Sequence, residues 1–315
     1  MERLPRVELR REESMSFAGG LKTIVVATDL EGRSEAALEY ARKLASGYGA
    51  RIILAHGTDP LDYAVVDGVP GRVWQKLSEQ AKVVLDELAA DLLREGIHSH
   101  SEIRQGAVVD MLIEVARQYE AGLIVIGTHG REGAGAIAVG SITEELVRKS
   151  SCPVLAVAED WNAGEFRPVP GGPVMLAMER NDAARAAVET AKSLAQVFRR
   201  TLIVVHARGS AEVSAILNPA TARMEEFGLT PDAELPIRMI VKDGSPADAV
   251  AQAIEQYKPS LLVVGVKRKS DAPGPHGHGT VFALLAGSRV PVLCVPAEPG
   301  PTGREAAERV SVAIS

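Results

Sequence analysis

Two kinds of segment alternate along the chain. Short runs of consecutive aliphatic residues, such as TIVVA at 23–27 and LIVI at 123–126, are typical of strands that are buried on both faces of a sheet. Between them lie longer stretches in which apolar residues recur every three or four positions, and these predict amphipathic helices. Strands that alternate with helices predict a parallel sheet with right-handed crossovers, and therefore an α/β fold.

In the first part of the chain the pattern predicts five strands and four helices. The strands are expected at 23–29, 51–57, 100–106, 123–127 and 153–158. The helices are expected at 34–49, 73–96, 107–122 and 141–151, with Ser34 as a candidate N-cap of the first. A doubly wound domain of strand order 3-2-1-4-5 binds ligands beyond the carboxyl ends of its strands, here between the first and the fourth.

The second part of the chain repeats the first. Ala27 corresponds to Ala177 and His56 to His206 at a constant offset of 150 residues, and from the third strand onwards the offset is 138. The second copy therefore has 12 residues fewer between its second and third strands. We predict two duplicated doubly wound domains. The expected boundaries are a tail at 1–20, a first domain at 21–158, a linker at 159–172, a second domain at 173–297 and a tail at 298–315.

The stretch GTHGREGAGAIAVGS at 127–141 joins the fourth strand to the fourth helix. Gly127, Gly130 and Gly140 follow the spacing G-x2-G-x9-G, and Ser141 comes next at the expected start of the helix. Glycines allow the backbone to approach a ligand closely, and a helix N-terminus offers N–H groups and the positive end of a dipole. The stretch therefore predicts a site for a polyphosphate.

This spacing, together with Asp29 after the apolar first strand, resembles the nucleotide-binding signature of universal stress proteins. The duplication resembles tandem members of that family over about residues 20–298. The resemblance implies that ATP is the ligand, with Mg²⁺ left open, and that the triphosphate lies along 130–141. It implies that Asp29 and the backbone near the second strand hold the adenosine end. The implied binding residues are Ala27, Asp29, Gly57, Gly127, Gly130, Gly140, Ser141 and Ile142.

The resemblance also implies pairing through the last strands, either between two chains in a homodimer or between the two copies within one chain. Two other nucleotide motifs are rejected. The G-x-G-x-x-A at 133–138 does not follow a strand directly, and the chain contains no G-x-x-x-x-G-K-[ST].

Several residues in these motifs have simpler interpretations. The glycines could serve only a surface loop, and Asp29 could only cap a turn. His129 could reach a phosphate or act as a base, but no partner for it is identifiable. His56 and His206 are interpreted as packed or hydrogen-bonded residues. Cys152 and Cys294 are interpreted as small core residues, and no metal site is predicted.

The second copy departs from the nucleotide-binding pattern. Glu179 replaces Asp29, and the basic run 267–269 occupies the region of the middle glycine. With Gly279 and Thr280 taken as the counterparts of Gly140 and Ser141, the last spacing is one residue longer. We expect one competent site in the first copy and a degenerate or altered site in the second.

Composition narrows the class of protein. A net charge of −6 and an aromatic content of 4% argue against a nucleic-acid partner, and no apolar run is long enough to span a membrane. Two cysteines and no secretory leader favour the cytoplasm. The leading hypothesis is a nucleotide-dependent regulatory binding module with an unknown protein partner. The alternatives are a slow ATPase or phosphotransferase, for which Glu132 and Glu144 are candidates only by proximity, and an interaction protein without nucleotide turnover.

Overall fold

The computed structural model describes residues 20–30, 34–58, 70–128, 139–158, 171–178, 184–208, 224–229, 235–267, 279–288 and 290–297. The strands are β1 (Thr23–Ala27), β2 (Arg51–Thr58), β3 (Ser99–Gln105), β4 (Leu123–Gly127), β5 (Val154–Val157), β6 (Val174–Ala177), β7 (Leu202–Arg208), β8 (Ile237–Asp243), β9 (Leu261–Val266) and β10 (Val292–Pro296). The helices of nine or more residues are α1 (Glu35–Tyr48), α2 (Pro70–Arg94), α3 (Val108–Gln118), α4 (Ser141–Lys149), α5 (Ala184–Val197), α6 (Pro246–Tyr257) and α7 (Gly279–Gly287).

All ten strands form one sheet, in the order β3-β2-β1-β4-β5-β10-β9-β6-β7-β8. Within each half the neighbouring strands are parallel, whereas β5 and β10 are antiparallel, with Leu155 opposite Leu293. The predicted α/β class with a duplicated unit is therefore confirmed. The two halves share a continuous sheet because their last strands pair inside the chain.

Helices cover both faces of this sheet and bury its aliphatic strands. Successive residues of a strand point to opposite faces. Accordingly, Val26 joins an apolar cluster with α1, α2 and α5, whereas Val25 joins a second cluster with α3, α4, α6 and α7. Both clusters contain residues from both halves, so the hydrophobic core is continuous across the β5–β10 junction.

Side chains also connect the halves. The Tyr48 hydroxyl on α1 lies 3.1 Å from the Ser193 hydroxyl on α5, and the rings of Tyr48 and Phe198 pack edge to face with centroids 6.0 Å apart. Gly47 is needed for this approach, because a Cβ there would lie 2.5 Å from the Phe198 ring. Of the two predicted pairings through the last strands, the structure contains the one within the chain. A homodimer would have to use another surface, because β5 and β10 each have a neighbour on both sides.

Some predictions are corrected or lie outside the described residues. β1 ends at Ala27, so Asp29 follows the strand by two residues rather than ending it. The tail at 1–19, most of the linker (159–170) and the tail at 298–315 lie outside the described ranges. Among the described helices, none combines the length and the apolar character needed to cross a membrane.

Candidate functional site

The carboxyl ends of β1 and β4 lie side by side at one edge of the sheet. β1 pairs in parallel with both β2 and β4, so that Val26 lies between Leu54 and Val125. The chain connections run in opposite directions on the two sides of β1, which makes this edge the switch point where α/β domains bind ligands. Asp29 and Gly127 both lie there, and the Asp29 side chain is exposed.

The two ends of the glycine stretch are joined at this edge. The N–H of Gly140 donates a hydrogen bond of 2.7 Å to the carbonyl of Thr128, and the N–H of Thr128 donates one of 3.0 Å to the carbonyl of Val157 on β5. Helix α4 begins immediately afterwards, with Ser141 and Ile142 exposed in its first turn. Because the first N–H groups of a helix have no acceptor within the helix, this end of α4 is suited to an anion.

Thr143 fixes the first turn of α4 against the end of β4. Its side chain is buried, and its hydroxyl donates a hydrogen bond of 2.8 Å to the carbonyl of Gly127. The next residue, Glu144, forms an ion pair with Arg148 one turn later, whose guanidinium lies 4.4 Å from the ring centroid of Phe282 in the second half. The start of α4 is therefore held rigidly, and Glu144 already has a partner.

The surroundings of Asp29 differ from the prediction for Ser34. Ser34 is the N-cap residue of α1, as predicted, and its carbonyl accepts a hydrogen bond of 3.0 Å from the N–H of Leu38, but its side chain makes no capping hydrogen bond. Instead its hydroxyl donates a hydrogen bond of 2.9 Å to Oδ1 of Asp29 and lies 3.0 Å from the hydroxyl of Thr28. The side chain that was expected to stabilise the helix is thus committed to the acidic residue of the site.

Residues at the end of β2 support the turn after β1. The Nδ1–H of His56 donates a hydrogen bond of 2.9 Å to the carbonyl of Thr28, which confirms the interpretation of His56 as a hydrogen-bonded residue. Gly57 has a packing role as well, because a Cβ there would lie 2.7 Å from Cε of Met111 on α3. Both residues help to define the mouth of the site between the strand ends.

A family model described as the universal stress protein family matches residues 20–158 and 172–296. The chain belongs to the universal stress protein family. Because the match occurs twice, it is a tandem member, as the resemblance of its two copies implied.

Individual universal stress proteins resemble this chain over most of its length or over one half. A universal stress protein of Mycolicibacterium smegmatis is 26% identical over 275 residues, which cover 84% of this chain and 90% of that protein. Universal stress protein A homolog 2 of Coxiella burnetii is 32% identical over 143 residues, 43% of this chain and 94% of the relative. The crystal structure of a universal stress protein from Archaeoglobus fulgidus superposes with a TM-score of 0.69, covering 88% of this chain and 98% of that one. At 18% identity this structural likeness shows the fold alone.

The second universal stress unit differs from the first at the start of its last helix. Ser150 and Ser288 make the same pair of hydrogen bonds, each to the residue two positions later, which fixes the structural offset here at 138. Gly279 therefore corresponds to Ser141 rather than to Gly140, which corrects the predicted alignment by one residue. At this offset Val281 replaces Thr143, so the hydroxyl that binds the strand end is missing.

The structure brings most of the predicted residues to one edge of the sheet. Ala27 ends β1, Gly127 ends β4, and Gly57 lies near the end of β2. Asp29, Gly140, Ser141 and Ile142 lie just beyond the strands, as described above. Gly130, His129, Glu132, Glu179 and the basic residues Arg268 and Lys269 lie outside the described residues.

Sequence reasoning missed the roles of Thr28 and Thr143. A signal for both was present in the repeat, because the second copy has Met178 and Val281 at these positions. A hydroxyl in one copy opposite an apolar side chain in the other marks a polar contact that only one copy makes.

Proposed function

We propose that this universal stress protein binds ATP in its first half and acts as a nucleotide-dependent regulatory binding module in a stress response. The observation that carries the proposal is the exposed first turn of α4, which begins at Ser141 and lies at the same sheet edge as the exposed carboxylate of Asp29. A helix start favours phosphate, and a carboxylate accepts hydrogen bonds from the polar groups of a nucleoside.

The residues present fit a nucleotide. At the phosphate end, Gly140 has no side chain to obstruct an anion, and the hydroxyl of Ser141 adds a donor. Ile142, whose side chain is 40% exposed, offers an apolar contact beside them. At the other end we assign the adenosine to Asp29, with the backbone of Ala27, Gly57 and Gly127 beside it. Gly130 belongs to the proposal through the spacing of the glycines, and Mg²⁺ bound to the phosphates is an optional part of it.

We propose one ATP for each chain, because the second half has Glu179, Gly279 and Val281 in place of Asp29, Ser141 and Thr143. Nucleotide occupancy would then shift the population of conformations near α4 and so bias a surface that a protein partner recognises. A cytoplasmic location and the domain boundaries at 158 and 173 belong to the same proposal.

The test is to denature the purified protein and to quantify the released nucleotide by chromatography, together with titration of the nucleotide-free protein with ATP. About one ATP per chain supports the proposal. Two per chain would show that the second half also binds. Mostly ADP would favour slow hydrolysis, to be followed by a rate measurement. No nucleotide and no uptake of ATP would leave the interaction-protein hypothesis.

A further inference from the structure

The turn after β1 contains a hydroxyl pair that orients one carboxylate. The hydroxyl of Ser34 donates to Oδ1 of Asp29 at 2.9 Å, and the same oxygen of Ser34 accepts a hydrogen bond of 3.3 Å from the N–H of Asp29. Since each hydroxyl has one proton, the 3.0 Å contact between Thr28 and Ser34 leaves Thr28 as the donor. A relay therefore runs from Thr28 through Ser34 to the carboxylate.

The same turn holds a residue in an uncommon backbone conformation. Leu30 has φ of 62°, a value that residues with a side chain seldom adopt, and its N–H donates a hydrogen bond of 3.2 Å to the hydroxyl of Thr28. Strained residues persist where the surrounding contacts enforce them, and they concentrate at functional sites. Thr28 thus supports both the strained turn and the hydroxyl that binds Asp29.

The side chain of Ser34 forms hydrogen bonds in this relay and none with the N–H groups of α1. A serine before a helix ordinarily accepts a hydrogen bond from the N–H of the second or third helical residue. Ser245 does so before α6, where its hydroxyl accepts a hydrogen bond of 3.2 Å from the N–H of Asp248. Ser34 makes no such bond. Its side chain is therefore used for the orientation of Asp29.

The second half has neither of the two hydroxyl side chains of the relay. At the offset of 150, Thr28 corresponds to Met178 and Ser34 to Ala184, neither of which has a hydroxyl. Met178 is buried in the apolar cluster, and α5 begins at Ala184, one position earlier than α1 begins in its half. The two hydroxyls that hold Asp29 in the first half therefore have no counterpart at these two positions of the second half.

We propose that Ser34 and Thr28 are positioning residues for the ligand-binding carboxylate of Asp29, and that their replacement by Met178 and Ala184 contributes to the silence of the second half. This inference rests on the proposed function, in which Asp29 contacts the nucleotide. A carboxylate that is held in one orientation binds without first losing its rotational freedom, which improves affinity.

The test compares ATP affinities by calorimetry for the nucleotide-free full chain and its variants. Ser34→Ala is expected to weaken ATP binding about 2- to 12-fold, the effect of one typical hydrogen bond, because Ser34 acts on the ligand only through Asp29. Ser34→Thr retains the hydroxyl and is expected to restore most of the affinity. In the Asp29→Ala background, Ser34→Ala is expected to cause no further loss, because the two residues act as one unit.

Ser245→Ala is the matched control, since it removes a serine that does cap a helix. It is expected to lower the midpoint of urea unfolding and to leave ATP affinity unchanged. Ser34→Ala is expected to weaken ATP binding and to leave the midpoint unchanged. Wild-type affinity in Ser34→Ala, with binding lost in Asp29→Ala, would overturn the positioning role and leave the proposed function standing. Additive losses in the double variant would also overturn it. A wild-type chain that binds no ATP would overturn both.

Discussion

The hydroxyl of Tyr40 on α1 donates a hydrogen bond of 3.0 Å to the carbonyl of Ser260, which lies 220 residues further along the chain and in the other half. The Tyr40 side chain is fully buried. The hydroxyl of Ser260 in turn donates one hydrogen bond that is shared between the carbonyls of Gly172 and Pro173, where the second unit begins. A buried polar contact therefore links the first helix to the start of the second half.

Tyr40→Phe is expected to lower the free energy of unfolding by about 1–2 kcal/mol, because it leaves a buried carbonyl without this donor. Urea denaturation measures the change. Tyr48→Phe is the control, since it also removes a hydrogen bond between the halves but at a partly buried position, and a smaller loss is expected. A larger loss in Tyr48→Phe than in Tyr40→Phe would contradict this ranking.

Asp29→Ala is expected to weaken ATP binding about 5- to 150-fold, which corresponds to the loss of about 1–3 kcal/mol when a buried donor of the ligand is left unpaired. Glu179→Ala, at the corresponding position of the second half, is expected to change the affinity much less. Titration calorimetry on both variants decides the matter. Equal effects at the two positions would rule out a single site in the first half.

Gly140→Val is expected to block the approach of phosphate without disturbing the fold. Gly140 has φ of −58° and ψ of 141°, a conformation that valine adopts readily. The loss of ATP affinity should be on the order of tenfold or more, with an unchanged circular dichroism spectrum. Gly279→Val is the matched control, because an added Cβ there meets open space at the start of α7. If both variants lose ATP equally, the assignment of the phosphate site is wrong.

Thr143→Val gives the first half the side chain that the second half has at the corresponding position, Val281. It removes the hydrogen bond to the carbonyl of Gly127, so we expect a loss of about 1 kcal/mol in the free energy of unfolding and weaker ATP binding. The reciprocal variant Val281→Thr should leave ATP affinity unchanged. The prediction fails if Thr143→Val binds ATP like the wild type.

The two thiols are expected to make the protein less stable at alkaline pH. Burial raises the pKa of Cys294 to about 12 and also raises the pKa of Cys152, from an ordinary value of about 8.5. Above pH 8.5 the unfolded chain releases these protons and the folded chain keeps them. Their contribution to stability is therefore complete below that pH and is lost as the pH rises towards 12, by about 2 kcal/mol for each thiol at pH 10.

Urea denaturation between pH 8 and pH 10.5 measures this slope. The double variant Cys152→Ala/Cys294→Ala should show a shallower decline, and the comparison of slopes removes the constant effect of lost packing. Equal slopes would show that the thiols ionise as readily in the folded protein as in the unfolded chain.

The fold could be predicted because its signals are local. A strand that is buried on both faces must be aliphatic throughout, as in LIVIG at 123–127, and a helix over a sheet must carry a periodic apolar face. The internal repeat of the sequence predicted that the domain is duplicated. The expected site edge followed from the same pattern, because parallel strands end together.

Ser34 lies at the predicted N-cap of α1, but its hydroxyl does not bond the helix, because a serine hydroxyl has several possible partners. A serine just before a helix is expected to accept a hydrogen bond from the first N–H groups of that helix. In the folded turn, however, the hydroxyl of Ser34 lies within hydrogen-bond distance of Asp29 and Thr28. The alignment of Gly279 with Gly140 failed for a related reason. Matching glycines ignored the buried face of the helix, where Thr143, Leu146 and Val147 correspond to Val281, Leu284 and Leu285.

Because β5 and β10 pair within one chain, every molecule contains one first unit and one second unit joined in the same sheet. Two subunits that meet by diffusion can exchange, and their ratio follows their synthesis. Here a covalent connection keeps the neighbour at a high effective concentration, so each first unit always faces one second unit in a 1:1 ratio. The second half could therefore diverge in sequence without losing its place in the sheet. One polypeptide thus contains two unlike units in a fixed arrangement.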